Sequence, residues 1–435
     1  MPQPSDFVAA QAAMATAAAA GGGTNRRNLI AIFLGGGSCA HNTIIPRTGA
    51  NRTYYESVRP GLAIANNSAT ALDADWQLHP SLTGLKTLWD AGRLAIVRNI
   101  GPLVYPITRA QFLAQAVQVP AQLHSHSDQQ DVWETGIGNQ PVAATGWLGR
   151  LGELLTPFNT GTEVSPLISM AGPTDTFRAF DIRSLGLGPN GFGLRNGGFR
   201  LDGNFLNIAE DLFQEVEADD LLVQEYLDTH KRAVIAGSII NAARDAAAIP
   251  TNIPNTSPLG NNMRFVMRLA SQQATLAQRR TLFFMAHGGY DHHADQLTLE
   301  TGRFTELDPV LLQAYNASVN YGIAANTTFV VYSEFGRSLR QNGSGSDHGW
   351  GGHAFVFGGA VQGGWYGNPY SLNPAGPDIV REQCHMIPTT PVDSLIASLA
   401  KWMGVPDAVS GGVNPLNLLV PNLPNFPVRD LGLFT

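Results

Sequence analysis

Short apolar runs rich in β-branched and aromatic residues recur along the chain at 29–34, 94–98, 282–286, 328–332 and 354–357, each closed by glycines or polar clusters. Runs of this length with such boundaries predict strands. Between them, apolar positions spaced three and four apart predict helices over 81–91, 109–116, 211–245, 263–276, 308–321 and 391–403. Alternating strands and helices imply an α/β fold with a mostly parallel sheet, because parallel strands need crossover connections. Two stretches stand apart from this pattern. The first 23 residues, Ala-rich from Phe7 to Ala20, carry few large apolar side chains and no basic n-region, so they predict a flexible leader or weak helix ahead of one domain over 24–435. The region 156–262 is rich in Gly, Asn and Pro up to Asn204 and helical afterwards, which predicts an inserted cap. Arg26-Arg27 faintly resembles a twin-arginine signal, but six apolar residues are too few for an h-region, and 29–34 reads as the first strand.

In parallel sheets the working groups lie on loops past the carboxyl ends of strands. Here 29–34 runs into Gly35-Gly36-Gly37-Ser38-Cys39-Ala40-His41, 282–286 into His287-Gly288-Gly289-Tyr290-Asp291-His292-His293, and 328–332 into Ser333-Glu334-Phe335-Gly336-Arg337. Eight of the eleven histidines fall in four short segments: His41; His124 and His126; His287, His292 and His293; His348 and His353. Two of those segments follow predicted strands, a concentration that points to a metal site.

Asp291 and His293 stand two residues apart behind a glycine pair, and Asp347-His348, with His353 nearby, is a second acid and imidazole group. Oxygen and nitrogen donors of this kind suit a divalent cation. Asp291, His293, Asp347 and His348 are therefore expected to share one pocket although more than fifty residues separate the pairs. Ser125, at the start of a predicted helix, is either an N-cap or a nucleophile activated by a cation and the helix terminus. Arg337 offers a forked donor to a tetrahedral oxyanion, or pairs with Glu334 to order its loop.

Composition narrows the function classes. Apolar residues make up 44% and charged residues 14%, with a net charge of −7, so a general nucleic-acid binder, which needs clustered Lys and Arg, is not expected. No apolar run approaches the ~20 residues needed to span a bilayer. Cys39 and Cys384 are the only cysteines, which leaves one bridge, two buried thiols or a ligand role open.

An ordered series of motifs adds a resemblance. Phe33-Leu34-Gly35-Gly36, Leu78-His79-Pro80, Ser125-His126 with Asp128-Gln129-Gln130, Gly288-Gly289-Tyr290-Asp291-His292-His293, Ser333-Glu334-Phe335-Gly336-Arg337, Asp347-His348-Gly349-Trp350-Gly351 and Ile387-Pro388-Thr389-Thr390-Pro391 run in sequence. Over about 25–425 the chain resembles the bacterial family catalogued as domain of unknown function 1501, a branch of the alkaline-phosphatase and sulfatase superfamily. The resemblance implies a three-layer α/β/α sandwich of alkaline-phosphatase type with a central mostly parallel sheet. It also implies one or two divalent ions, zinc foremost, and a hydroxyl nucleophile attacking a phosphate or sulfate ester of a small molecule or polymer. Matched by motif, Asp291, His293 and His353 would hold one ion, with Asp347 and His348 holding the other beside Ser125. Export to the periplasm or beyond is implied as well, although no clear signal peptide is present. The chain departs from the family where Cys39 stands in place of the usual Asp, and where His287 and His292 replace an apolar residue and Thr. A softer Cys39 ligand would favour zinc or copper over magnesium. The departures keep two other functions open: a noncatalytic binding or assembly protein, and a metal site retuned for redox chemistry.

Overall fold

The computed structural model describes residues 2–20, 25–140, 143–190, 194–196, 199–201, 221–409 and 412–435. Its main strands are β1 (Arg27–Gly35), β2 (Leu94–Gly101), β3 (Leu167–Ser169), β4 (Leu185–Gly186), β5 (Arg280–Gly288), β6 (Thr327–Ser333), β7 (Arg337–Asn342), β8 (Gly345–His348), β9 (Gly352–Gly358), β10 (Gly364–Tyr366) and β11 (Thr390–Pro391). The helices that matter here are α1 (Pro4–Ala20), α2 (Thr83–Asp90), α3 (His126–Thr135), α4 (Trp147–Leu155), α5 (Leu221–Ala246), α6 (Pro258–Ser271), α7 (Gln296–Asn320) and α8 (Val392–Met403).

Among the described residues, nine strands form one sheet in the order β10-β2-β9-β6-β1-β5-β3-β4, with β11 beside β2. Strand β9 runs antiparallel to both neighbours, and the remaining pairs are parallel. The period-two geometry of a strand sends alternate side chains to opposite faces, and β1 divides accordingly. Leu29, Ala31 and Phe33 enter a core with α1, α4 and α8, while Ile30, Ile32 and Leu34 enter a second core with α5, α6 and α7. Both faces are thus covered, which is why the central strands read as unbroken apolar runs. The predicted three-layer α/β/α sandwich is what the chain forms. No helix among the described residues is long and apolar enough to cross a membrane.

Three sequence expectations need correction. The stretch expected to be a flexible leader or weak helix is helix α1 over residues 4–20, and it is packed in place, with Phe7, Ala10, Met14 and Ala18 buried in the first core. These positions follow helical spacing, so a few well-placed side chains anchor a segment whose composition looks too weak to pack. The region 156–262, expected as an inserted cap, supplies β3 and β4 to the edge of the main sheet and packs Ala236, Ile240 and Ala243 of α5 into the second core. Helix α7 begins at Gln296, twelve residues before the predicted start, and carries Pro309 inside it.

Candidate metal centre

Strands β1, β5 and β6 lie side by side in register, with Leu34 opposite Ser333 and Gly35 opposite Gly288. Their carboxyl ends therefore open at one level. Past β1 the backbone turns at Gly36, whose φ of +117° and whose missing side chain are both needed: a Cβ there would lie 2.5 Å from the Asp291 nitrogen. Past β6, Glu334 turns back and accepts the Gly36 N–H at 2.8 Å. The hairpin of β7 and β8 then brings His348 opposite Arg337.

These elements gather four donors. The Asp291 Oδ1 atom lies 3.0 Å from His293 Nε2, 3.3 Å from His348 Nε2 and 3.4 Å from His126 Nε2. Ligand atoms of His126, Asp291 and His348 all fall within 4.8 Å of one another, and His293 Nε2 joins from one side at 3.0 Å from His348 Nε2. The rings of His126 and His348 both rest against Phe335. Side chains of Asp291 and His293 are each 46% exposed, so the cluster opens to solvent.

Partners of the other ring nitrogens fix what this cluster can do. His348 Nδ1 donates to the His124 carbonyl at 2.6 Å, and His126 Nδ1 meets Glu334 Oε1 at 2.8 Å. In each case Nδ1 carries the proton and Nε2 turns a lone pair toward Asp291, the arrangement that orients imidazole ligands around a metal. Lone pairs facing a carboxylate at these distances repel unless a proton or a cation lies between them. The donor set of three imidazoles and one carboxylate fits a zinc-like divalent ion.

Electrostatics follows the same contacts. Partial burial pushes the Asp291 carboxyl upward, but the Arg337 hydrogen bond and charge, with His126 and His293, hold it at about 2. His126 is raised, chiefly by its bond to Glu334. His348 is lowered, chiefly by burial.

Several expected site residues take other places. Arg337 is fully buried; it donates to Asp291 at 2.7 Å, to the Gly36 carbonyl at 3.2 Å and to the Ser346 carbonyl at 2.9 Å, so it positions Asp291 and its fork is not turned toward a substrate. Asp347 borders the cluster, with Oδ1 3.7 Å from His293 Nδ1 and bonded to the Asn342 amide. His353 is not in the cluster: its Nδ1 accepts from the Asn99 N–H at 3.3 Å and its Nε2 meets the Tyr370 hydroxyl at 3.1 Å. Cys39 is not in it either. Its buried thiol accepts from Arg59 at 3.4 Å, its N–H donates to Glu300, and no bridge joins it to Cys384. His287 is buried against Tyr290 and Glu306, and His292 is buried as well. Ser125 caps α3, accepting from the Asp128 N–H at 3.4 Å and bonding the Asp128 carboxylate with its hydroxyl. The residues missed as members of the centre are His126 and Glu334. Their signal is present in the sequence: a His just inside a Ser-capped helix start, and an acid one residue past a strand end.

A family model described as "Protein of unknown function (DUF1501)" matches residues 26–406. No curated protein sequence matches the chain. Among solved structures, the chain is similar to a protein from a Bacteroides thetaiotaomicron locus for metabolism of multiple glycosaminoglycans, with 10% identity over 87% of this chain and 73% of that one and a TM-score of 0.36. It is also similar to the lipoteichoic acid synthase LtaP from Listeria monocytogenes, with 9% identity, coverage of 91% and 77%, and a TM-score of 0.35. The alkaline phosphatase of the Antarctic bacterium TAB5 matches with 10% identity, coverage of 81% and 96%, and a TM-score of 0.34.

Proposed function

The chain belongs to the DUF1501 family, and from that premise we propose that it is a metal-dependent hydrolase of phosphate or sulfate esters. The observation that carries this reading is the convergence of His126, His293 and His348 Nε2 atoms on Asp291 Oδ1 at 3.0–3.4 Å, with two of the rings already oriented through Nδ1. A divalent ion, zinc in this proposal, would be held by these four residues and would polarise the ester and favour an ionised nucleophile.

The chain's own groups supply the remaining steps. Ser125 is the proposed nucleophile: its hydroxyl proton is already shared with the Asp128 carboxylate, which can take it as the oxygen attacks. Glu334 keeps His126 in its ligand tautomer, and Arg337 keeps Asp291 ionised and in place. Openness of the cluster on the Asp291 and His293 side admits an ester of a small molecule or a polymer end. A redox role through Cys39 finds no support, because that thiol is engaged by Arg59.

The test pairs metal analysis with release of nitrophenol from 4-nitrophenyl phosphate and 4-nitrophenyl sulfate. Asp291→Asn and His348→Ala are expected to lose bound metal and hydrolysis together, and Ser125→Ala to keep the metal while losing at least about a hundredfold in rate. Hydrolysis that survives both ligand substitutions would remove the metal from the mechanism.

A further inference from the structure

A cavity of roughly 700 Å³ is lined by residues from Phe112 to Leu123, in the segment that leads into α3, and by Arg381. Such a volume falls within the range of about 300–1,000 Å³ usual for small-molecule sites. Phe112, Leu113, Val117, Val119 and Leu123 give it apolar walls between glutamine side chains, and one cation, Arg381, faces it. The Arg381 guanidinium lies 5.8 Å above the Phe112 ring, and no carboxylate among the described residues forms an ion pair with it. A chamber that offers apolar walls, amide groups and a single unmatched positive charge is complementary to an apolar ligand that ends in an anion.

Backbone strain marks the same place. Eight non-glycine residues among those described have positive φ; three of them line this chamber, Gln115 at 52°, Gln122 at 48° and Arg381 at 61°, and a fourth, His124 at 78°, follows its wall residue Leu123. Left-handed backbone outside glycine is costly and gathers where a ligand or a reaction requires it.

The chamber is also joined to the metal centre. Leu123 in its wall is followed by His124, whose carbonyl accepts from the ligand His348 at 2.6 Å and whose ring packs on His385 with centroids 4.2 Å apart. Both nitrogens of the buried His385 and the Nε2 of His124 have no hydrogen-bond partner among the described residues. Buried polar atoms left unpaired beside a wall residue of the chamber are ones that a bound molecule could satisfy.

We propose that the chamber receives the leaving-group arm of the ester, an aromatic or alkyl body ending in a carboxylate or similar anion held by Arg381. The ester half of this assignment rests on the hydrolase reading, whereas binding of the arm does not. The experiment therefore measures the arm alone, by calorimetric titration of the full chain with 6-phenylhexanoate and with 6-phenylhexan-1-ol. The carboxylate is expected to bind about tenfold tighter than the alcohol to the wild type. Arg381→Gln should abolish that preference while leaving alcohol binding unchanged, and Leu113→Asp, at an exposed wall position, should weaken both ligands. His348→Ala should retain the preference, since a carboxylate captured by the metal centre would lose it there. No preference in the wild type, a preference that survives Arg381→Gln, or one that disappears in His348→Ala overturns the assignment, and none of these results bears on whether the centre hydrolyses esters.

Discussion

His348 donates its Nδ1–H to a carbonyl, so in the neutral ring the nitrogen turned toward Asp291 is an acceptor, and the same holds for neutral His126 through Glu334. Because Glu334 raises His126, a proton must leave that ring before it can coordinate a cation. Metal affinity should therefore rise with pH as the medium passes upward through the raised His126 value, and fall again on acidification. Glu334→Gln is expected to shift that transition to lower pH and to weaken binding at high pH by about 10–100-fold, readable by competition with a chelator. An unshifted transition would show that Glu334 does not govern the ring. Glu300 gives the opposite kind of dependence. Burial lifts its carboxyl to about 7 against an ordinary value of 4.5, with Gln296, Arg59 and the Cys39 N–H pulling it back only partly. The folded chain then holds a proton that the unfolded chain has released, so stability falls as pH rises from about 5 to 7. Glu300→Gln should flatten this slope, on the order of 2 kcal/mol across the window, in denaturant titrations at pH 5 and pH 7. Asp291, His293 and His348 are legible in the sequence because an acid and an imidazole beside glycines at strand ends have few other uses. Cys39 and His353 are not, because adjacency along the chain does not fix the direction of a side chain. Only the packing of Arg59 against the thiol, and of Asn99 and Tyr370 against the ring, decides it.

At the scale of elements, apolar runs reveal the central strands, which extend one to three residues beyond the predicted limits where polar residues continue the ladder. Helices are visible where one face is apolar and hidden where none is. Every residue of α4 is buried, including Arg150 and Glu153, so no polar face marks it as a helix. Its glycines also argue against one, yet a Cβ at Gly149 would lie 1.9 Å from the Arg178 carbonyl, so the close approach needs the residue that lowers helix propensity. In α7 the misleading signal is Pro309, which suits a first turn although the helix runs through it. Asp308 beside it serves another helix, because its carboxylate accepts from the Gly84 and Leu85 N–H groups at 2.6 and 2.9 Å and so caps α2. Helix α1 allows a direct test. Phe7→Ala and Met14→Ala each remove a buried side chain from the first core and should lower unfolding free energy by about 2–5 kcal/mol. Unchanged denaturation midpoints in both variants would return this segment to the status of a leader.

The whole molecule is organised so that no single element owns the centre. His126 comes from the start of α3, Asp291 and His293 from the loop after β5, and His348 from the end of β8, while Glu334 and Gly36 tie the ends of β6 and β1 together behind them. Each of these segments is anchored in a different part of the sandwich, and a cation bound by all of them must hold those parts in one relation. Binding to the folded chain alone stabilises it by an amount set by the ratio of free ion to dissociation constant, about 4 kcal/mol when that ratio is about 1,000. Zinc should therefore raise the melting temperature of the chelator-treated protein in a concentration-dependent way. His348→Ala and Asp291→Asn should abolish the rise, and Cys39→Ala and His353→Ala should leave the increment intact even though both lower the baseline by disturbing buried contacts. An increment that disappears with Cys39→Ala would put the thiol back among the ligands, against its contact with Arg59. A rise of equal size in the Asp291 and His348 variants would mean that the ion binds elsewhere and that the four converging donors are held together by their hydrogen bonds alone.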